Sequence, residues 1–159
     1  MTLWGWAAPS EVTVSFAGQQ AKTAADASGE WKVALAPMPA STESRVLTLS
    51  GKIILIITDV LVGEVWLCSG QSNMEWALSR STGGPEALAL STNSRPRFCS
   101  LPHNAQVLPQ NDVGVKWVIS GDPTLKYFSA IGFWFRVKLQ KELGVKVAMI
   151  NNSYGGTPI

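Results

Sequence analysis

Ile131, Phe135, Leu139 and Leu143 recur every four residues, with Trp134 beside them. That is the spacing of one apolar face of an α-helix, and it predicts a helix over Ser129 to Leu143. Gly144 follows at once and suits the left-handed residue that commonly closes a last turn. Lys138 and Glu142 stand one turn apart on the polar face and can pair. Val145-Lys146-Val147-Ala148-Met149-Ile150 then reads as a strand. An earlier apolar run, Val65-Trp66-Leu67-Cys68, reads as a buried strand, although periodicity by itself does not separate it from a buried helical segment. Two strands joined by a crossover that contains a helix pair in parallel, with a right-handed connection. The pattern therefore predicts an α/β unit with the ends of Cys68 and Ile150 on one edge of the sheet.

Each strand runs into small polar residues at its carboxyl end, where ligands gather in open α/β sheets. After Cys68 come Ser69-Gly70-Gln71-Ser72-Asn73-Met74. Gly70 permits a sharp turn, because it lacks the Cβ that forbids unusual backbone angles. Two readings of Ser72 stay open. It is a nucleophile, which needs a base for its proton and donors for the charge it creates; or Ser72 or Asn73 caps a helix that runs on toward Leu78. The second glycine of a G-x-S-x-G elbow is missing, which argues against an ordinary α/β-hydrolase. After Ile150 come Asn151-Asn152-Ser153-Tyr154-Gly155-Gly156. The diglycine either presents bare N–H groups to an acyl oxygen or makes a plain turn.

Residues 3 to about 58 read as β structure. Glu11–Phe16, Glu30–Leu35 and Arg45–Leu49 alternate polar with apolar, and Ala17-Gly18-Gln19 and Ala27-Ser28-Gly29 are turns. Ile53–Ile57 is apolar on both faces and calls for cover on both sides. Strands at this spacing suggest a small antiparallel sandwich over residues 1–59, followed by the α/β unit over residues 60–159. Asp59 marks the step between them, as a turn residue or, alternatively, as a triad acid. Within the second unit, Glu86–Leu90 is a short helix started by Pro85. Arg97–Leu101 and Lys116–Ser120 are strand candidates.

Charged residues make up only 15% of the chain and the net charge is +2, with Lys and Arg dispersed, so nucleic acid is not an expected partner. No apolar run is long enough to cross a bilayer. The start, Met1-Thr2-Leu3-Trp4, has no signal-peptide pattern, so the chain is cytoplasmic or its true N-terminus lies elsewhere. Cys68 and Cys99 read as buried thiols, with a disulfide between them as the alternative. One His and two Cys are too few for a usual structural zinc site, and no metal or cofactor is expected. Trp4, Trp6 and Trp31 either pack in the core or at an edge, or stack on sugar rings.

Gly63-Glu64-Val65-Trp66-Leu67-Cys68-Ser69-Gly70-Gln71-Ser72-Asn73-Met74-Glu75-Trp76 closely resembles the first block of the sialate O-acetylesterases, a branch of the SGNH hydrolases. Asn152-Ser153-Tyr154-Gly155-Gly156-Thr157-Pro158-Ile159 resembles the next block, and a weaker likeness begins at Trp4-Gly5-Trp6-Ala7. The resemblance implies an SGNH-type, flavodoxin-like parallel sheet behind the β-rich domain. It implies Ser72 as acyl-accepting nucleophile, with backbone N–H groups of Ser72, Gly155 and Gly156 as oxyanion donors. Gln71, Asn73 and Trp76 are candidates for lining an O-acetylated sugar, although capping and packing roles are open to them too. The family is lysosomal or secreted. It also carries a Trp-x-Gln-Gly-Glu block and an Asp and His pair further downstream. This chain holds neither and resembles about the first third of such an enzyme. Little turnover is therefore expected from it, and non-catalytic carbohydrate binding is the alternative. His103, the single histidine, lies in a loop far from the family's base and reads as a surface or supporting residue.

Overall fold

The computed structural model describes residues 1–90 and 96–156. Thr157, Pro158 and Ile159 of the second block lie outside the described residues. The chain divides into two compact units, Met1–Gly63 and Glu64–Ile159.

Strict alternation builds the first unit. Its strands are β1 (Thr2–Trp6), β2 (Glu11–Phe16), β3 (Gln19–Ala24), β4 (Glu30–Ala34), β5 (Ser41–Ser50) and β6 (Ile54–Val62). They form a β1–β4 pair and a sheet ordered β3-β2-β5-β6, all antiparallel. Val12, Val14 and Phe16 point one way from β2 and are buried with Trp31 of β4, Leu35 and Leu47 of β5. Ala17 and Gly18 have φ of 53° and 76°. Two positive φ values match the twist of a two-residue hairpin, so Gln19 belongs to the next strand rather than to the turn.

Two expectations fail in this unit. The apolar run Ile53–Ile57 is not covered: within the first unit β6 pairs only with β5, and Ile54 is 68% exposed. Asp59, expected at the domain step, lies inside β6 with φ of 59°, where the register between β5 and β6 shifts. It is the left-handed residue of a bulge-like irregularity, a position that Asp tolerates better than most. Trp4 and Trp6, which share one face of β1, are half or more exposed and meet edge to face at 5.6 Å. Only Trp31 of the three tryptophans is a core residue.

The second unit contains β7 (Glu64–Gly70), α1 (Ser72–Glu75), α2 (Gly84–Leu90), β8 (Arg97–Ser100), β9 (Val118–Ile119), α3 (Ala130–Leu143) and β10 (Val147–Ser153). Short 3-10 turns occupy Leu78–Arg80 and Pro123–Tyr127, the latter capped by the Asp122 side chain. The sheet order is β7-β10-β8-β9; β10 lies parallel to both β7 and β8, and β9 is antiparallel to β8. In chain order the parallel set is first-third-second. A flavodoxin-like sheet instead places its first strand between the second and third.

The helix forms where its spacing predicts, with Ser129 Oγ accepting from Gly132 N–H at the start and Gly144 at φ 67° at the end. Lys138 and Glu142 pair at 2.8 Å. Its buried face is different from the expected one: Ala130, Gly132, Phe133 and Arg136 are buried, whereas Ile131, Phe135 and Leu143 are largely exposed. Phe133 stacks on Phe98 of β8 at 5.7 Å, over a core that includes Leu78, Leu125, Phe128, Val147 and Met149. The Arg136 guanidinium lies over both rings, and burial pulls its pKa down from the ordinary value. Aromatic faces offset part of the cost of burying that charge.

Val65 and Leu67 are 58% and 62% exposed, so the expected buried strand is buried only at Cys68. Among the described residues β7 ends the sheet and has one neighbour, β10. Cys68 and Cys99 are both buried free thiols, and burial pushes both thiol pKa values up. They sit on strands separated by β10. Two strand spacings are about 9.6 Å, beyond the reach of a disulfide.

Two outcomes follow from this packing. A Cβ at Gly132 would stand 2.7 Å from Cys68 Sγ. Gly132→Ala should therefore lower stability by about 1–3 kcal/mol in urea unfolding, as overpacking does, with Cys68→Ala in the same chain restoring part of the loss. Both thiols should also react with iodoacetamide at pH 8 at least about tenfold more slowly in the folded than in the urea-unfolded chain, because the thiolate is the reactive form.

Candidate active site

Parallel pairing places the two motifs side by side. The register runs from Val147 opposite Glu64 to Ser153 opposite Gly70, so both strands end at the same level. Tyr154 N–H donates to Gly70 O at 2.9 Å and continues the ladder one residue past the strands. Gly70 has φ of +144°, and a Cβ there would stand 2.8 Å from Met74 Cγ. The chain can turn this tightly into α1 only without a side chain.

α1 is a single turn, closed by Glu75 N–H donating to Gln71 O. Its N-cap is Gln71, with no side-chain cap bond. Neither Ser72 nor Asn73 caps it, so the capping reading of both is corrected; the helix also ends at Glu75 rather than near Leu78. Residues three apart share a helix face. Ser72 and Glu75 form one such face, and Asn73 and Trp76 the other.

On the first face, Ser72 is exposed and meets the diglycine. A Cβ at Gly155 would lie 3.5 Å from Ser72 Cα and would collide with Glu75 Oε2. A side chain at position 155 would therefore displace the Glu75 carboxylate, while the Ser72 backbone stays at ordinary contact distance. Its N–H donates to Glu75 Oε2 at 2.7 Å. Gly156 follows with φ of +80°, and its N–H has no protein acceptor among the described residues.

Sequence reasoning missed Glu75, and His103, read as a surface or supporting residue, lies beside it. His103 Nε2 lies 3.3 Å from Glu75 Oε1 and 3.1 Å from Ser153 O, and its ring stacks on Tyr154 with centroids 4.0 Å apart. Both neighbours of Nε2 are acceptors, so that nitrogen carries the proton and shares it between them. It has no lone pair for the Ser72 proton. Among the described residues, no hydrogen bond involves the Ser72 hydroxyl. The sequence held one signal for Glu75: it stands three residues after Ser72, which puts both on one face of any helix.

Two cavities flank α1. An open groove of about 710 Å³ is lined by Asn73, Trp76, Ser81, Ile131, Trp134 and Phe135. The Trp76 N–H donates to Arg80 O, and its indole remains 52% exposed. A smaller cavity of about 450 Å³ lies on the other side, lined by Glu75, Ser100, His103, Lys116, Tyr127 and Asn151. Ser72 lines neither of them. Gln71 is half-buried at the turn. Among the described residues, no three His, Cys, Asp or Glu side chains cluster so as to hold a metal ion, and no helix is long and apolar enough to cross a membrane.

This geometry makes Gly155→Ala a sharp probe. The added methyl must push Glu75 away or separate the strand tips. Urea unfolding should show a loss of about 1–3 kcal/mol, and the Gly155-to-Glu75 hydrogen bond should disappear from the amide spectrum.

No protein-family model matches the chain. Among curated proteins it is similar to the human sialate O-acetylesterase, with 32% identity over 99% of this chain and 34% of the relative. The rat sialate O-acetylesterase is 30% identical over 83% of this chain and 27% of that protein. Among solved structures, a carbohydrate acetylesterase from Xanthomonas citri superposes with a TM-score of 0.93 at 37% identity, over 99% of this chain and 37% of that one. The chain thus spans about a third of the length of the relatives it matches. Over that shared length, it belongs to the sialate O-acetylesterase family.

Proposed function

We propose that Ser72 is the acyl-accepting nucleophile of an SGNH-type esterase that removes O-acetyl groups from sialic acid or a related sugar. The observation that supports this reading is the nearness of the two motifs: a Cβ placed on Gly155 would lie 3.5 Å from Ser72 Cα, so an exposed serine stands beside a diglycine turn. Ser72 Oγ attacks the acetyl carbonyl carbon and gives up its proton to a base. The tetrahedral oxyanion is received by backbone N–H groups, and the C–O bond to the sugar breaks as the sugar oxygen takes a proton. Water then attacks the acetyl-serine, releasing acetate and restoring the hydroxyl.

Gly155 N–H is engaged by Glu75, so the donors assigned here are Gly156 N–H and Ser72 N–H. The exposed Trp76 and Asn73 line the larger groove, which suits a sugar ring against the indole. Among the described residues no hydrogen bond joins the Ser72 hydroxyl to a base. The chain by itself therefore acylates slowly and turns over little. The full reaction, its O-acetylated sugar substrate and a lysosomal or secreted setting belong to the reading drawn from the family.

The test is p-nitrophenyl acetate hydrolysis by the chain and by Ser72→Ala, with mass spectrometry of the Ser72 peptide. The expected result is a slow release of nitrophenol with acetyl on Ser72, both absent in the variant. Equal rates and an unmodified peptide would sink the nucleophile; fast turnover lost in the variant would show that a base is already in place. The second reading, carbohydrate binding without chemistry, draws on the exposed Trp4 and Trp6. Saturable binding of an acetylated sialoside by Ser72→Ala, lost in Trp4→Ala, would favour it.

A further inference from the structure

We propose that Glu75 is a positioning residue: its carboxylate ties the diglycine turn to the helix that carries Ser72, and ties His103 to both. The inference deepens the nucleophile reading and rests on it for the role of Ser72, but the tie itself stands on geometry alone.

Glu75 projects from the same face of α1 as Ser72. One oxygen accepts the Gly155 N–H at 2.7 Å, a bond between residues 80 apart in sequence. The other lies 3.3 Å from His103 Nε2. His103 is in turn fixed by Ser153 O and by the Tyr154 ring, and Tyr154 N–H is bonded to Gly70 O. One carboxylate therefore joins the turn after β7, the turn after β10 and the loop after β8. The glycine makes this possible, since a Cβ at position 155 would displace the carboxylate.

The strength of the tie comes from hydrogen bonding more than from charge attraction. The Glu75 and His103 side chains are 38% and 44% exposed, and water screens an ion pair in that setting. A carboxylate accepting a backbone N–H is a charge-assisted bond with a narrow preferred geometry. Its consequence for the reaction is positional. With the Gly155 amide held by Glu75, the next amide, that of Gly156, is left to meet the acyl oxygen, at a distance from Ser72 set by the length of the Glu75 side chain. A displacement of about 1 Å at such a site costs up to about a hundredfold in rate.

Glu75→Ala, Glu75→Gln and Glu75→Asp separate the tie from general stability. Two quantities are measured: hydrogen exchange of the Gly155 amide, and the rate at which a fluorophosphonate modifies Ser72. Glu75→Ala should speed Gly155 exchange about tenfold, the worth of one such bond, while Val147 and Met149 amides and the melting temperature stay put. Ser72 modification should slow about tenfold or more. Glu75→Gln keeps an acceptor oxygen and should recover the protection and most of the rate. If Glu75→Ala does not fold, Glu75→Asp carries the test, because its shorter side chain should also release Gly155. Unchanged Gly155 exchange in Glu75→Ala, or in Glu75→Asp where the alanine variant does not fold, overturns the proposal, as does a Ser72 rate that ignores the release. A wild-type chain whose Gly155 amide responds but whose Ser72 never reacts keeps the tie and removes the nucleophile instead.

Discussion

The parallel pairing of β7 with β10 is the constraint from which the site follows. Seven successive residue pairs, from Glu64 with Val147 to Gly70 with Ser153, leave no freedom in where the two strands end. The period of a strand is two residues, so a slip of one would turn Cys68 and Met149 out of the core. Burial of those side chains thus fixes the register, and the register sets Ser72 beside Gly155. Chemistry at the strand tips is in this sense a by-product of packing beneath them. Phe133 stacked on Phe98, and Gly132 closed onto Cys68, hold α3 against the sheet that carries both tips.

The strand-helix-strand plan was legible because each piece had its own local signal. Ser129 and Gly144 bracket the helix, and the Val147 run follows directly. The convergence of two strand tips followed from the parallel pairing that a helix-containing crossover imposes. What the sequence did not disclose was which apolar residues would be buried. The stripe of Ile131, Phe135 and Leu143 is the most regular in the helix, yet the side facing the sheet is that of Phe133 and Arg136. A buried arginine breaks the apolar pattern, and its two aromatic neighbours come from different elements, so no spacing rule finds it. The apolar runs in β6 and β7 were misread for a related reason: hydrophobicity reports the capacity for cover, while the order of strands decides whether cover is there.

The site shows the same division. Ser72, Gly155 and Gly156 were proposed from motif and strand order. Glu75 and His103 were not, because their roles depend on a contact across 80 residues and on a loop with no periodicity. The single histidine was weighed as a base and set aside on sequence distance from where a base belongs. In the structure its Nε2 faces two acceptor oxygens, Glu75 Oε1 and Ser153 O.

The place of β7 at the rim of its sheet has a further consequence. A strand bonded on one side opens at lower free energy than one bonded on both, and such openings are local rather than global. Among the described residues the serine turn follows a strand bonded on one side, while the diglycine follows one bonded on both. Thermal fluctuations will move one wall of the cleft more than the other. Any polypeptide segment laid along the outer side of β7 would stiffen the serine without touching it.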